Sequence, residues 1–136
     1  MSEALRVVCD TNTLISYLLL PNSVSSIAVR KAFERGVLLV SESTLNELAD
    51  VLSRPKFDRY ISLEDRQAFF RLFSRMYERV NIVYPVNVCR DPKDNQFLEV
   101  AVNGGASMII TGDADLLVLH PFQGISILTA AQFNAL

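Results

Sequence analysis

The chain alternates short, wholly apolar runs with longer segments whose apolar residues recur every three or four positions. The apolar runs have the length of strands, and the periodic segments have the spacing of helices buried on one face. Continuous apolar runs indicate burial on both faces, which is typical of a parallel sheet covered by helices. The pattern therefore predicts an α/β fold, a doubly wound three-layer α/β/α sandwich, with strands at 6–9, 37–40, 80–84, 107–111 and 125–128.

The helices are predicted from caps, breakers and apolar stripes between these strands. A long amphipathic helix with an apolar stripe is expected from Ser62 to about Arg79, and the aromatic residues of the stripe are expected in the core or in a dimer interface. That stripe comprises Phe69, Phe70, Phe73, Met76 and Tyr77. Other helices are predicted at 11–20, 26–35, from Ser41 or Ser43 to Leu52, at 92–102, and after a capping box of Thr129 and Gln132.

The 136 residues contain no linker or repeat, which predicts one domain spanning residues 1–136. Half of the residues are hydrophobic and 21% are charged, so a disordered or fibrous chain is excluded. No apolar run approaches the roughly 20 residues of a membrane span. The two cysteines, Cys9 and Cys89, are too few for a disulfide framework. We therefore expect a cytoplasmic protein without membrane contact, and with Cys9 buried in a strand.

Acidic side chains are concentrated where the predicted strands end or where helices begin. Because the carboxyl ends of parallel strands meet at one edge of the sheet, these carboxylates are expected in one crevice. One further acid lies in the middle of an otherwise apolar helix and joins them if that helix packs beside the edge. The set comprises Asp10, Glu47, Asp91, Asp94, Asp113 and Asp115.

Such a crevice requires neutralisation. Two carboxylates ~5 Å apart repel by about 3 kcal/mol at an effective dielectric constant near 20. A fold retains several of them only with a bound cation or with raised pKa values. Ligands that are all oxygen select hard cations, so one or two Mg²⁺ or Mn²⁺ ions are predicted. Carboxylate-held ions of this kind act on phosphate esters.

Charge outside the acidic set points to a polyanionic substrate. The whole chain has a formal net charge of −2. With the six candidate acids set aside, nine acids face 13 basic residues, a formal net charge of +4. Arg54, Lys56 and Arg59 are candidate contacts for the backbone phosphates of such a substrate. Arg71, Arg75 and Arg79 recur every four residues and are expected on a solvated helix face.

Four segments together resemble the PIN-domain nucleases, and in particular the VapC-like ribonucleases that are the toxins of type II toxin–antitoxin pairs. The segments are DTN at 10–12, Glu47, DPKDNQFLEVA at 91–101 and TGDADLL at 111–117. The resemblance implies a five-stranded parallel sheet of order 3-2-1-4-5, frequent homodimers and a cognate antitoxin. It also implies an Mg²⁺- or Mn²⁺-dependent endoribonuclease, in which a metal-activated water cleaves RNA to leave 5′-phosphate and 3′-hydroxyl ends.

The resemblance assigns roles residue by residue. Asp10, Glu47, Asp94 and Asp113 match the catalytic, metal-binding carboxylates. Asp115 matches a second acid of the last motif, and the sequence leaves open whether Asp113 or Asp115 is the ligand. The supporting positions are Thr11, Asn12 and Thr111, which match small polar residues that orient carboxylates or water, and Asp91, an extra acid that alternatively only caps the helix at Pro92.

Other interpretations remain open. Each acid alone has an ordinary role as a cap, a turn residue or a solvated side chain. One alternative function is a catalytically silent PIN-like scaffold that binds RNA or an antitoxin. Another is a receiver-type phospho-acceptor domain, which requires an Asp after the third strand and a Lys after the fifth. The chain has neither. The single histidine, His120, is expected in a loop and not as a general base.

Overall fold

The computed structural model describes residues 4–136. The predicted domain boundaries also include residues 1–3, which lie outside the described residues. Five strands form one sheet in the order β3-β2-β1-β4-β5, and all four pairings are parallel. The predicted order and the predicted α/β/α architecture are confirmed. The strands are β1 (Leu5–Cys9), β2 (Gly36–Val40), β3 (Glu78–Arg79), β4 (Met108–Ile110) and β5 (Ser126–Leu128).

Helices cover both faces of this sheet, and all of them except the fifth begin at a side-chain cap. Ser41 and Thr44 form a capping box at the third helix, and Thr129 and Gln132 form the predicted one at the last helix. The fifth helix follows a 3₁₀ turn at Pro92–Asp94. The helices are α1 (Thr11–Leu19), α2 (Val24–Arg35), α3 (Glu42–Leu52), α4 (Leu63–Phe73), α5 (Asn95–Gly104), α6 (Ala114–Leu117) and α7 (Ala130–Asn134).

The core consists of two apolar clusters, one on each face of the sheet. Val7 of β1 belongs to the first cluster with Leu48 of α3, whereas its neighbour Val8 belongs to the second with Leu98 of α5. Strand residues alternate between the two faces, so both faces are buried. This explains why the strands are continuous apolar runs in the sequence. Cys9 is buried in β1, as predicted.

The predicted helix from Ser62 to about Arg79 is too long. α4 ends at Phe73, where the backbone N–H of Ser74 donates to Phe70 O and the Ser74 hydroxyl donates to Arg71 O. The aromatic spacing continues beyond the helix because Tyr77 folds back against Phe73, with ring centroids 3.9 Å apart. The predicted core position holds for Phe69, Phe70, Phe73 and Tyr77, but Met76 is 46% exposed. Arg71, Arg75 and Arg79 therefore do not share one helix face.

The predicted third strand at 80–84 is also wrong. β3 is Glu78–Arg79, and the last contact with β2 is from Val80 N to Val40 O. The following segment, residues 83–89, lies along α5 instead. Asn95, Glu99 and Asn103, one helical turn apart, accept hydrogen bonds from its backbone. We call these three side chains the α5 ladder; the donors are the amides of Val83, Tyr84, Val86, Val88 and Cys89.

α5 begins three residues later and ends two residues later than the predicted helix at 92–102. Gly105 follows the helix with φ of +64°, a left-handed conformation that favours glycine. The helices within residues 4–136 all lack the length and apolar character needed to traverse a bilayer.

Candidate active site

The predicted carboxylates converge on one cleft. It lies beyond the carboxyl end of β1, between α3 and the start of α5, and has a volume of about 470 Å³. Asp10, Glu47, Asp94 and Asp113 all line it. Thr11 and Asn12, which the resemblance assigns as supporting residues, line the same cleft. The structure therefore brings together side chains from four separate segments of the chain.

Asp10 is fixed by the end of β1 and by the start of α1. Its Oδ1 accepts a hydrogen bond of 2.8 Å from Thr13 N, which makes it the N-cap of α1. Its Oδ2 accepts a hydrogen bond from the Thr111 hydroxyl. Asp10 is only 6% exposed, so both oxygens are held in place away from bulk water.

Thr111 connects Asp10 to the segment that follows β4. Its buried hydroxyl donates to Asp10 and accepts from the backbone N–H of Asp113 at 3.0 Å. Asp113 in turn caps α6, because its Oδ1 accepts from Asp115 N at 2.8 Å. α6 is only four residues long, and no sequence pattern predicts it. The turn after β4 thus holds the backbone of Asp113 beside Asp10.

Glu47 projects from the middle of α3 and is half-buried. Its Oε1 accepts from the Thr11 hydroxyl at 2.6 Å, and its Oε2 accepts from Gln96 Nε2 at 2.6 Å. Gln96 is itself oriented by Ser43, whose hydroxyl donates to Gln96 Oε1 at 2.8 Å. Since all four oxygens of Asp10 and Glu47 accept hydrogen bonds, we call these two residues the bonded pair.

The remaining acids form a contrasting group. Asp94, Asp113 and Asp115 each place one carboxylate oxygen within 4.8 Å of the others, and we call them the carboxylate trio. Asp94 Oδ2 is buried and has no hydrogen-bond donor anywhere in residues 4–136. Burial, followed by the hydrogen bond that protonated Asp94 donates to Asp113 and then by the charges of Asp113 and Asp91, raises the pKa of Asp94 to about 7.

This donor set fits a hard divalent cation. All of its ligand atoms are carboxylate oxygens, which Mg²⁺ and Mn²⁺ prefer. A buried carboxylate oxygen without a donor is costly unless it is protonated or bound to a cation. The buried Asp94 oxygen without a donor and the mutual repulsion of the three nearby carboxylates both favour a bound cation at this point.

Asp115 and Asp91 differ from the acids that line the cleft. Asp115 accepts two hydrogen bonds from Arg90, at 2.9 Å from Nε and at 3.3 Å from Nη2. Asp91 is exposed and caps the 3₁₀ turn, where its Oδ1 accepts from Lys93 N at 3.0 Å. The structure thus places Asp113 on the cleft wall, and Asp115 behind it in an ion pair.

Of the predicted basic residues, Arg54 lines the cleft, where it lies 3.5 Å from the carboxylate of Asp50. Lys56 and Arg59 are exposed, and their cationic groups lie over the rings of Phe57 and Tyr60. His120 lies away from the cleft, and its Nδ1 accepts a hydrogen bond from Ile127 N. Of the three basic residues predicted to contact the substrate, only Arg54 therefore lies at the cleft.

Sequence reasoning missed several residues of the site. Gln96 and Lys93 line the cleft, and Arg90 pairs with Asp115. A signal for Gln96 was available, because it follows Asp94 in the first turn of the same helix and so reaches the same edge of the sheet. The sequence predicts Ser43 only as a candidate helix cap, whereas the structure places it in the lining of the cleft.

Comparison with known proteins agrees with a fold of this class, an α/β sandwich with carboxylates at one edge of its sheet. The family model for the PIN domain matches residues 6–115. The uncharacterized protein MJ1680 of Methanocaldococcus jannaschii is 37% identical over 118 residues, which cover 85% of this chain and 76% of that protein. The chain therefore belongs to the PIN domain family, whose members are generally nucleases. This membership does not agree with a receiver-type phospho-acceptor domain.

Solved structures show the same fold. The crystal structure of VapBC2 from Rickettsia felis, bound to a DNA fragment from its promoter, superposes with a TM-score of 0.63 at 11% identity. It covers 90% of this chain and 97% of the matched chain. PAE2754 from Pyrobaculum aerophilum superposes with a TM-score of 0.61 at 14% identity, over 98% of this chain and 91% of that one. At these identities the likeness concerns the fold alone.

Proposed function

We propose that this protein is an Mg²⁺- or Mn²⁺-dependent endoribonuclease and that Asp10, Glu47, Asp94 and Asp113 are its catalytic carboxylates. The observation that carries the proposal is the orphaned Oδ2 of Asp94, buried beside Asp113 in an open cleft. A buried carboxylate group of this kind is typical of a cation site and is costly as a purely structural feature.

The four cleft acids would hold one or two ions, with Asp115 as a further ligand. A bound Mg²⁺ supplies Lewis acidity at a phosphoryl oxygen and makes water a better nucleophile at neutral pH. The bonded pair is oriented before any ligand arrives, because Thr13, Thr111, Thr11 and Gln96 donate to it. Groups fixed in advance need no reorganisation during the reaction, which favours catalysis.

The cleft walls also carry cations suited to a phosphodiester. Lys93 and Arg54 lie on opposite segments of the lining, one before α5 and the other after α3. An ammonium or guanidinium group binds phosphate oxygens through charge-assisted hydrogen bonds. They would position the backbone of a single RNA strand over the carboxylates, and Asn12 offers an exposed amide at the same cleft.

We further propose that the protein is the toxin of a type II toxin–antitoxin pair, inhibited by a cognate antitoxin and active as a homodimer. Support comes from the matched motifs and from the fold shared with a chain of the VapBC2 structure. Size-exclusion chromatography with light scattering tests the dimer, and a monomeric mass at micromolar concentration would contradict it.

The primary test is cleavage of labelled RNA by the purified protein with and without Mn²⁺ or Mg²⁺. We expect cleavage only with the ion, with 5′-phosphate ends, and a loss of at least about a hundredfold in Asp10→Asn because a carboxylate charge in the site is removed. Asp65→Asn, an exposed acid at the start of α4, is the matched control and should retain full activity. Wild-type rates in Asp10→Asn would refute the assignment.

A second test separates the nuclease from a catalytically silent scaffold. Saturating Mn²⁺ at about a hundred times its dissociation constant should stabilise the protein by about 2.7 kcal/mol, which is a rise of several degrees in Tm. The absence of any shift would favour the silent scaffold.

Inducible expression in a bacterial host should arrest growth with the wild type and not with Asp10→Asn, and growth without arrest would contradict the toxin assignment.

A further inference from the structure

A second cavity opens beside the catalytic cleft. It has a volume of about 580 Å³ and lies at the carboxyl ends of β2 and β3. The cleft lies at the same edge of the sheet, next to β1. Ser43 lines both spaces, so the two lie side by side along the edge with this serine between them.

The lining of this cavity combines three kinds of chemistry. Val80 and Ile82 provide an apolar floor, and Asn46 and Asn81 provide exposed amide groups. Arg79 provides an exposed guanidinium group, and no carboxylate lies within ion-pair distance of it in the described part of the chain. Apolar surface, amides and a cation are the groups that recognise a base, its hydrogen-bonding edge and a phosphate.

We infer that this cavity, which we call the edge pocket, is a nucleotide subsite for the RNA strand whose scissile phosphate lies in the catalytic cleft. The inference rests on the proposed nuclease function and adds a position for a neighbouring nucleotide. Its volume is within the usual range for small-ligand sites. Arg79 binds the phosphate, and Asn46 and Asn81 contact the base.

One charge in the edge pocket opposes this arrangement and sharpens the test. Glu42 lines the same cavity at the first turn of α3. Its carboxylate repels a phosphate, whereas a base amino group or a ribose hydroxyl can donate to it. Neutralising Glu42 should therefore strengthen RNA binding, whereas neutralising Arg79 should weaken it.

The test measures binding and cleavage separately. Fluorescence anisotropy is recorded with a labelled single-stranded RNA in an Asp94→Asn background with Mg²⁺, which keeps the RNA intact. Adding Arg79→Ala should weaken binding about tenfold, as expected for one lost charge-assisted contact. The slope of log K against log salt should become shallower by about 0.7. Glu42→Gln should strengthen binding several-fold. Arg75→Ala removes the same charge from the turn before β3, outside the edge pocket, and is the matched control.

In the cleavage assay, Arg79→Ala in the otherwise native protein should raise KM for a long RNA about tenfold and leave a dinucleotide unaffected. An Arg79→Ala protein that binds like Arg75→Ala would overturn the subsite while leaving the nuclease intact. A wild-type protein that cleaves no RNA would overturn the proposed function instead. Even then, the anisotropy measurements show whether RNA binds at the edge pocket. If no RNA binds there, the proposed subsite is overturned as well.

Discussion

The negative charges on the two sides of the cleft are stabilised to different degrees. In the bonded pair, Asp10 and Glu47, hydrogen bonds reach every carboxylate oxygen. In the carboxylate trio, three acids face one another within 4.8 Å, and Asp94 Oδ2 has no donor among the residues described. The bonded pair is complete without a cation, whereas the carboxylate trio is not.

This difference means that one pair of carboxylates is held in a fixed orientation, whereas the other carboxylates require a positive charge nearby. Hydrogen bonds to an ionised carboxylate stabilise it and fix its direction. Unscreened carboxylates at about 5 Å destabilise one another by about 3 kcal/mol. The bonded pair therefore supplies a fixed half of the site, and the carboxylate trio supplies the half that favours uptake of a divalent ion. Substitutions on the two sides should consequently have effects of opposite sign on the metal-free protein.

The largest expected effect is on catalysis. Asp94→Asn should reduce RNA cleavage in Mn²⁺ by at least about a hundredfold, because it removes the charge that faces the cation. The Mn²⁺-induced rise in Tm should disappear at the same time. Asp65→Asn serves again as the control, and a retained Tm shift in Asp94→Asn would place the ion elsewhere.

The next effect is on stability, and it tests the contrast directly. Thr111→Val removes the donor to Asp10 and the acceptor of Asp113 N, and we expect a loss of about 1–3 kcal/mol in the free energy of unfolding. Asp94→Asn without metal should instead raise it by about 1 kcal/mol, since a buried, repelled charge is removed. Urea unfolding in EDTA measures both. A loss of stability in both variants would contradict the proposed difference between the bonded pair and the carboxylate trio.

The same contrast predicts a pH dependence. The pKa of Asp94 is raised to about 7, so the folded protein binds a proton that the unfolded chain releases near pH 4. This contribution to stability is complete below about pH 4 and is lost as the pH rises through about 7. The difference in unfolding free energy between wild type and Asp94→Asn, measured in EDTA from pH 4 to pH 8, should therefore grow in favour of the variant. A difference independent of pH would contradict it.

The smallest effect concerns Arg90. Its guanidinium neutralises Asp115 from an exposed position and competes with a cation for that carboxylate. Arg90→Ala should tighten Mn²⁺ binding by about threefold or less, since exposed ion pairs are screened. Isothermal titration calorimetry measures it, with Arg75→Ala as the control. Weaker Mn²⁺ binding would show that Arg90 positions Asp115 instead of competing for it.

The fold was largely predictable because its determinants are local. Apolar runs of strand length and polar caps mark β1, β2, β4 and β5, and the resemblance supplied their order. The region from 74 to 91 was not predictable in the same way. The spacing of Phe73 and Tyr77 suits a helix, yet the chain turns at Ser74 and the rings meet through tertiary packing. VNIVY at 80–84 has the composition of a strand, but the α5 ladder binds the backbone amides from Val83 onward, and Val80 makes the last contact with β2.

The sequence identifies the acids of the candidate site, but it does not show which of their carboxylate oxygens accept hydrogen bonds. Motif order identifies Asp10, Glu47, Asp94 and Asp113, and these do line one cleft. Which of the carboxylates accept hydrogen bonds depends on Thr11, Thr111 and Gln96, whose directions are set by packing between distant segments. The choice between Asp113 and Asp115 likewise depends on Arg90, which no sequence pattern connects to Asp115.

The α5 ladder has a consequence for the sheet edge at β3. An exposed strand edge is a template on which another chain can add by backbone pairing and begin aggregation. Here the edge strand β3 is only two residues long, and both of its residues are charged. The apolar stretch that follows would extend that edge, but Asn95, Glu99 and Asn103 already engage its amides at residues 83–89. Asn103→Leu should therefore promote amyloid-like self-association, detectable as increased thioflavin fluorescence.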